Sequence, residues 1–303
     1  MIRLIGSVLV ASAVAISGAA QAQQYVMMPD STNNRMVLFN TMDGSVVNDN
    51  FFGLQAGTPI HGLQVGNQIW VSEQLGDRVS RWDFNGNHLG DIGGQFPGGG
   101  LDNIRGMAFA NGTVYVSNAG TANDAPGQAI VMFDTSGNLI GNFSTAGLAS
   151  SPFAILEHQG SLLVASSNAN DDIHRFSFGG SSMGTFHNST SLNFTQQLAI
   201  ATNGDILAAG FSSPAGVVRL DPNTGDIVGG FTASGTRGVF QLGNGNILWS
   251  NSAGAHVYNM STGSSTQVYA GGGRHFGLLV IPGPGVLAFF GLAGMTATRR
   301  RRQ

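Results

Sequence analysis

A six-bladed β-propeller, an all-β fold, is predicted by three features of the sequence: a repeated hairpin unit, complementary half-units at the two ends of the repeat region, and a glycine-rich composition. The repeat recurs at spacings of roughly 38 to 48 residues, the range of propeller blades. The chain has 303 residues, 46 of them glycine, which suits an architecture with many tight turns.

Each element of the repeat is legible as alternating apolar residues followed by a Gly, Asn or Asp turn, the pattern of a β-hairpin. The clearest copies are Arg78–Asn87, Ala129–Asn138, Asp172–Ser181, Gly216–Asp226 and Ala255–Ser264, with a sixth at Asn34–Ser45. A second hairpin precedes five of them, at His61–Ser72, Arg105–Ser117, Phe153–Ala165, Gln197–Ala209 and Arg237–Ser250. A sixth start, Arg274–Ile281, lacks its partner strand, and Tyr25-Val26-Met27-Met28 reads as a second strand lacking its first. Joining the two completes a sixth blade, so that no sheet edge is left exposed. Five or seven blades remain possible at this level. The unit Asp77–Gly86, after the strand Ile69–Ser72, resembles repeats of NHL-type six-bladed propellers; that resemblance implies the fold and not an active site.

Composition narrows the chemistry. The chain has no cysteine, so no disulfide and no thiolate chemistry. All 13 basic residues are arginines, which removes Schiff-base chemistry and the lysine of a phosphate-binding loop. A net charge of −3 with scattered arginines argues against nucleic acid as a partner, because that would need a basic surface.

The ends carry addresses. Met1-Ile2-Arg3, the apolar stretch Leu4–Ile16 and the small-x-small site Ala20-Gln21-Ala22 predict a secretory signal peptide over residues 1–22, removed by signal peptidase. The propeller is expected over residues 23–281. Residues 282–303 hold Pro282-Gly283-Pro284, an apolar run from Val286 to Thr298, and Arg299, Arg300, Arg301 and Arg302. About 13 apolar residues make a helix of about 20 Å, marginal for spanning a bilayer, with the arginines held on the cytoplasmic side. This tail resembles the PEP-CTERM sorting signals of bacteria, with Gly283 where that family usually has Glu. The resemblance implies an exosortase-like partner, transient residence in the inner membrane as a short C-terminal membrane helix, and delivery to the cell envelope, cell surface or extracellular matrix.

A site is expected on the top face, defined as the face where the innermost strand of each blade begins and where the connections between second and third strands lie. Four inner strands start with cationic or titratable residues: His61, Arg105, Arg237, and Arg274 with His275. Together these form a candidate ring at the channel mouth, since ligand sites favour concave places with convergent polar groups. His88, His158, His187 and His256 read as surface residues. Two functions stay open. One is a non-catalytic binding or structural surface protein that recognises a glycan, an extracellular polysaccharide or a matrix component on its top face. The other is a lactonase-like, metal-dependent hydrolase or lyase at the channel mouth. It would use zinc or calcium held by His61, His275 and carboxylates such as Asp77, Asp124, Asp171 or Asp172. No third histidine sits at an equivalent position, and Phe153 and Gln197 stand where ligands would be wanted.

Overall fold

The computed structural model describes residues 22–167 and 173–283. The chain divides into two units, residues Gln24–Leu279 and the end segments Met1–Gln23 with Val280–Gln303. Residues 1–21, Asp171, Asp172, Pro284 and Arg299 to Arg302 lie outside the described residues, so the expected signal peptide and most of the expected sorting signal do too. Among the described residues no helix is long and apolar enough to cross a membrane.

Twenty-four strands form six antiparallel four-stranded sheets. The closing blade joins β24 (Gly277–Ile281) to β1 (Gln23–Asp30), β2 (Arg35–Asn40) and β3 (Val46–Gly53). Blade 1 follows with β4 (Pro59–Val65), β5 (Gln68–Glu73), β6 (Arg78–Asp83) and β7 (His88–Gly93). Blade 2 is β8 (Ile104–Ala110) to β11 (Leu139–Ser144), and blade 3 is β12 (Pro152–His158) to β15 (Ser182–His187). Blade 4 is β16 (Thr195–Ile200) to β19 (Ile227–Thr232), and blade 5 is β20 (Gly238–Gln241) to β23 (Ser264–Ala270). The half-units at the two ends of the repeat region do share one blade.

The hairpins form where the sequence placed them, and local side chains explain why. In the turn from β6 to β7, Asp83 Oδ1 accepts the Asn85 and Asn87 amides at 2.8 Å each, and Asn87 Nδ2 donates to Oδ2 at 2.8 Å. Asp134 repeats the arrangement with Ser136 and Asn138 at 2.8–2.9 Å. An Asp that satisfies two turn amides favours the turn over extended strand.

The core lies in the wedges between neighbouring blades. Ile104 and Met107 of blade 2 pack with Trp70 and Val79 of blade 1, and Leu198 and Ile206 of blade 4 with Leu163 and Ile173 of blade 3. His158 and His187, expected at the surface, are instead buried. His158 Nε2 meets the Pro222 carbonyl at 2.6 Å, and His187 Nδ1 the Gly225 carbonyl at 2.7 Å. Both tie blade 3 to blade 4, where backbone carbonyls cut off from water need donors.

The closure is held by Asp30, 0 % exposed at the end of β1. Its Oδ1 accepts the amides of Thr32 at 2.9 Å, Asn33 at 3.1 Å and Gly272 at 2.8 Å. Its Oδ2 accepts from Asn33 Nδ2 at 2.6 Å and from the Tyr269 hydroxyl. Arg35 lies 3.7 Å away and donates to the same hydroxyl. Gly272 and Tyr269 belong to the last blade and its exit, so one carboxylate ties the first described strand to the end of the ring. Burial alone pushes the Asp30 pKa up, but the hydrogen bonds from Tyr269, Asn33 and Gly272 together hold it below the ordinary carboxylate value. The same environment, burial first and then the bond to Asp30, raises the Tyr269 hydroxyl to about 12.

A carboxylate with a depressed pKa stabilises the fold above its ordinary titration range and loses that contribution as pH falls through its folded value. Asp30→Asn is therefore expected to cost about 3 kcal/mol at neutral pH. It should also flatten the loss of stability below about pH 4. Urea unfolding of both proteins at neutral and acid pH measures the two effects.

Candidate functional site

Strand register resolves the channel mouth into two layers. Gly62 pairs with Val71, Met107 with Val116, Ile155 with Val164, Leu198 with Ala208 and Val239 with Trp249. Aligned by these pairs, the upper layer holds Ile60, Arg105, Phe153, Gln196 and Arg237, and the layer beneath holds His61, Gly106, Ala154, Gln197 and Gly238. In the closing blade Arg274 and His275 take the same two places, because Ser250 Oγ donates to the Arg274 carbonyl at 2.6 Å as Ser117 Oγ does to the Phe153 carbonyl at 3.0 Å. The five residues expected in one ring are thus brought together at the mouth, but at two heights: Arg105, Arg237 and Arg274 above, His61 and His275 below. The sequence could not show this, because the inner-strand pairing breaks at the mouth in four blades, between Pro59 and His61, Ile104 and Met107, Pro152 and Ile155, and Thr195 and Gln197. Such bulges re-aim side chains at strand ends.

The lower layer combines three bulky polar side chains with glycines and an alanine. A Cβ on Gly106 would lie 2.4 Å from the Phe153 carbonyl oxygen, and one on Gly238 2.4 Å from that of Arg274. Only glycine lets the neighbouring backbones approach so closely. The remaining space is taken by His61, His275 and Gln197. The imidazoles stand 5.5 Å apart, and His275 lies 5.8 Å from the Phe153 ring. His61 Nδ1 accepts the Met107 amide of the next blade at 3.1 Å. Gln197 Oε1 does the equivalent in blade 4, accepting the Val239 amide at 3.0 Å and the Phe276 amide at 2.9 Å, while its Nε2 donates to the Phe276 carbonyl at 2.6 Å. Gln197 is a latch that the sequence did not single out as one, and the alignment of inner strands was the signal available. A cavity of about 350 Å³ lies against His61, Gln197 and Phe276 and is otherwise mostly apolar.

Burial pushes the His61 pKa down to about 4. Burial, followed by the positive charges around it from His61, Arg274 and Arg237, holds His275 well below its ordinary value. Both rings are therefore neutral near pH 7, and His61 must keep Nδ1 unprotonated to accept its amide.

The upper layer is cationic. Arg105, 7 % exposed, shares one terminal nitrogen among Ser151 Oγ at 2.8 Å and the Ser151 carbonyl, Pro152 carbonyl and Ser167 Oγ at 3.2 Å. Its guanidinium lies 4.8 Å above the Phe153 ring. Arg237 lies 5.7 Å over Phe211, which contacts Phe194 at 5.2 Å. Arg274 donates through Nε to Ser31 Oγ at 2.8 Å. Among the described residues, none of the three arginines has a carboxylate partner. Burial pushes Arg105 down to about 10, lowers Arg237, and brings Arg274 to about 10 with help from the Arg237 charge.

The metal-ligand expectation meets a different arrangement. Asp77 accepts the Asn103 amide at 2.9 Å and Asn123 Nδ2 at 3.1 Å, so both of its oxygens are engaged in joining loops of blades 1 and 2. Asp124 accepts the Gly98 amide at 2.7 Å. Among the described residues no three His, Asp or Glu side chains converge as a metal site.

No family model and no curated protein matches the sequence. Solved structures share the fold. A chain from the crystal structure of a nidogen/laminin complex superposes with a TM-score of 0.69 at 11% identity, covering 84% of this chain and 98% of that one. A protein of unknown function from Bacteroides caccae gives 0.62 at 16% identity, again over 84% and 98%. A streptogramin B lyase gives 0.53 at 11% identity, over 89% of this chain and 76% of that one. At these identities the likeness establishes the propeller fold.

A buried histidine kept neutral is protonated first in the unfolded chain, so stability falls as pH drops from about 6.5 towards about 4. Replacing His61 by Gln, the residue that makes the equivalent bond in blade 4, should keep the latch and remove the titration. Thermal and urea unfolding should show an acid-induced loss about 2 kcal/mol smaller at about pH 5 in His61→Gln.

Proposed function

We propose that this chain is an exported, envelope-sorted propeller that binds a ligand on its top face without transforming it. The observation that carries the reading is the upper layer at the channel mouth. Arg105, Arg237 and Arg274 stand there beside Phe153 and Phe211 with no counter-charge among the described residues. Of the histidines beneath, His61 holds a backbone amide, and His275 is 1 % exposed beside it. A rim of cations and aromatic rings over a closed polar floor suits recognition, and an extracellular glycan or matrix polysaccharide is the class of ligand that fits an exported protein.

The export reading rests on the sequence of the ends. Residues 1–22 act as a signal peptide, and residues 282–303 as a sorting signal handled by an exosortase-like enzyme at the inner membrane. A metal-dependent lyase is the second reading. It is favoured by the adjacent His61 and His275 rings and by the fold shared with a streptogramin B lyase.

The full chain is expected to be retained on immobilised extracellular polysaccharide of the producing cell. Retention should be unchanged by EDTA, release no shortened product, and weaken in Phe211→Ala and Phe194→Ala. Metal-dependent appearance of cleaved product would instead establish the lyase reading. In the producing cell, N-terminal sequencing of the envelope fraction should begin at Gln23; an intact Met1 terminus there would remove the export reading.

A further inference from the structure

We infer that the upper layer of the channel mouth is a site for an acidic sugar, with the sugar carboxylate held by Arg237 and Arg274 and supported by Arg105. This deepens the binding reading above and rests on it.

Three desolvated guanidiniums on one rim are costly without an anion, since a buried or half-buried charge needs a partner to offset lost hydration. Protein carboxylates do not supply it among the described residues. Arg237 makes no side-chain hydrogen bond there, and Arg274 makes only the one to Ser31. The Nε atoms of Arg105 and Arg237 are buried with no acceptor. Arg237 and Arg274 stand in the upper layer of adjoining blades, where a Cβ on Gly238 would lie 2.4 Å from the Arg274 carbonyl oxygen, and the charge of Arg237 helps lower Arg274. Two like charges placed together in this way are stabilised by an anion between them. A planar carboxylate matches the guanidinium fork better than a point acceptor does.

A bare anion leaves one group unexplained. Gln196, 4 % exposed and in the same layer, has its Oε1 buried with no donor. A ligand that fits the layer must therefore bring acceptors for the arginines and a donor for Gln196. A carboxylate and a hydroxyl on one small ring provide both. The half-buried Phe194 and Phe211 stand beside Arg237, and aromatic faces of this kind pack against the C–H face of a sugar ring. Phosphate or acetate would satisfy the arginines but leave Gln196 and the aromatic wall unused.

Calorimetric titration of the full chain with sodium D-glucuronate, D-glucose, sodium acetate and inorganic phosphate at about neutral pH tests the assignment. Glucuronate should bind, more weakly as salt rises, and glucose should give no measurable heat. Arg237→Gln and Arg274→Gln should each weaken glucuronate by about tenfold or more. Arg237→Lys, which keeps the charge and loses the fork, should fall between and guards against an unfolded Gln variant. Gln196→Leu should weaken glucuronate while leaving acetate unchanged. The inference is overturned if glucose binds as well as glucuronate, if acetate or phosphate binds as tightly as glucuronate, or if the arginine variants bind glucuronate like the parent. If the polysaccharide column still retains the chain in any of those cases, the sugar-acid assignment fails alone; if neither sugar nor column binds, the binding reading falls with it.

Discussion

A ring of blades exists only if its last blade finds its first, and here that meeting is fixed by one buried carboxylate. Asp30 collects the amides and hydroxyl that the closing turn would otherwise leave without partners: Gly272 and Tyr269 from the end of the ring, Thr32 and Asn33 from its beginning. Ser31 extends the same junction, since its amide donates to the Gly272 carbonyl at 2.9 Å and its hydroxyl accepts from Arg274. The latch and the channel mouth are therefore one continuous structure. Arg274 can stand at the rim because the loop after Asp30 is held in place.

The other junctions use weaker but repeated devices. Ser72, Ser117 and Ser250, each one residue before the end of its second strand, donate to a carbonyl at the start of the inner segment of the next blade. Blades 3 and 4 have Ala165 and Ala209 at the aligned places. At the seam between these two blades His158 and His187 take over the bonding. Each blade boundary thus satisfies its backbone with whatever donor its sequence provides, which is why a repeat with so little identity from copy to copy can still close.

Much of the fold was legible because turns and alternation are local. The Asp-to-Asn turns, the paired apolar strings and the complementary half-units each follow from a few neighbouring residues. The site was legible in kind but not in depth. His61, Arg105, Arg237, Arg274 and His275 stand out as polar residues opening apolar strands, and all five do reach the mouth. Their separation into two layers depends on bulges and cross-strand register, which no single strand encodes. Gln196 and Gln197 illustrate the limit. Adjacent and chemically identical, they do unlike work, one as a latch across three blades and the other as an unpartnered acceptor on the rim. Asp30 gave no signal in the sequence for the same reason, since its partners Tyr269 and Gly272 lie more than two hundred residues away.

Positions three blades apart face each other across a six-bladed ring, and the layers repeat in part on that half-turn. Arg105 and Gly106 in blade 2 answer Arg237 and Gly238 in blade 5, and His61 in blade 1 answers Gln197 in blade 4. Two pairs break the pattern, for Ile60 in blade 1 opposes Gln196 in blade 4, and Arg274 and His275 in the closing blade oppose Phe153 and Ala154 in blade 3. A mouth with true two-fold symmetry would accept a ligand equally well in either of two senses. These unlike pairs remove the degeneracy and set two adjoining arginines, Arg237 and Arg274, on one side of the rim, so an asymmetric molecule settling there has one way round.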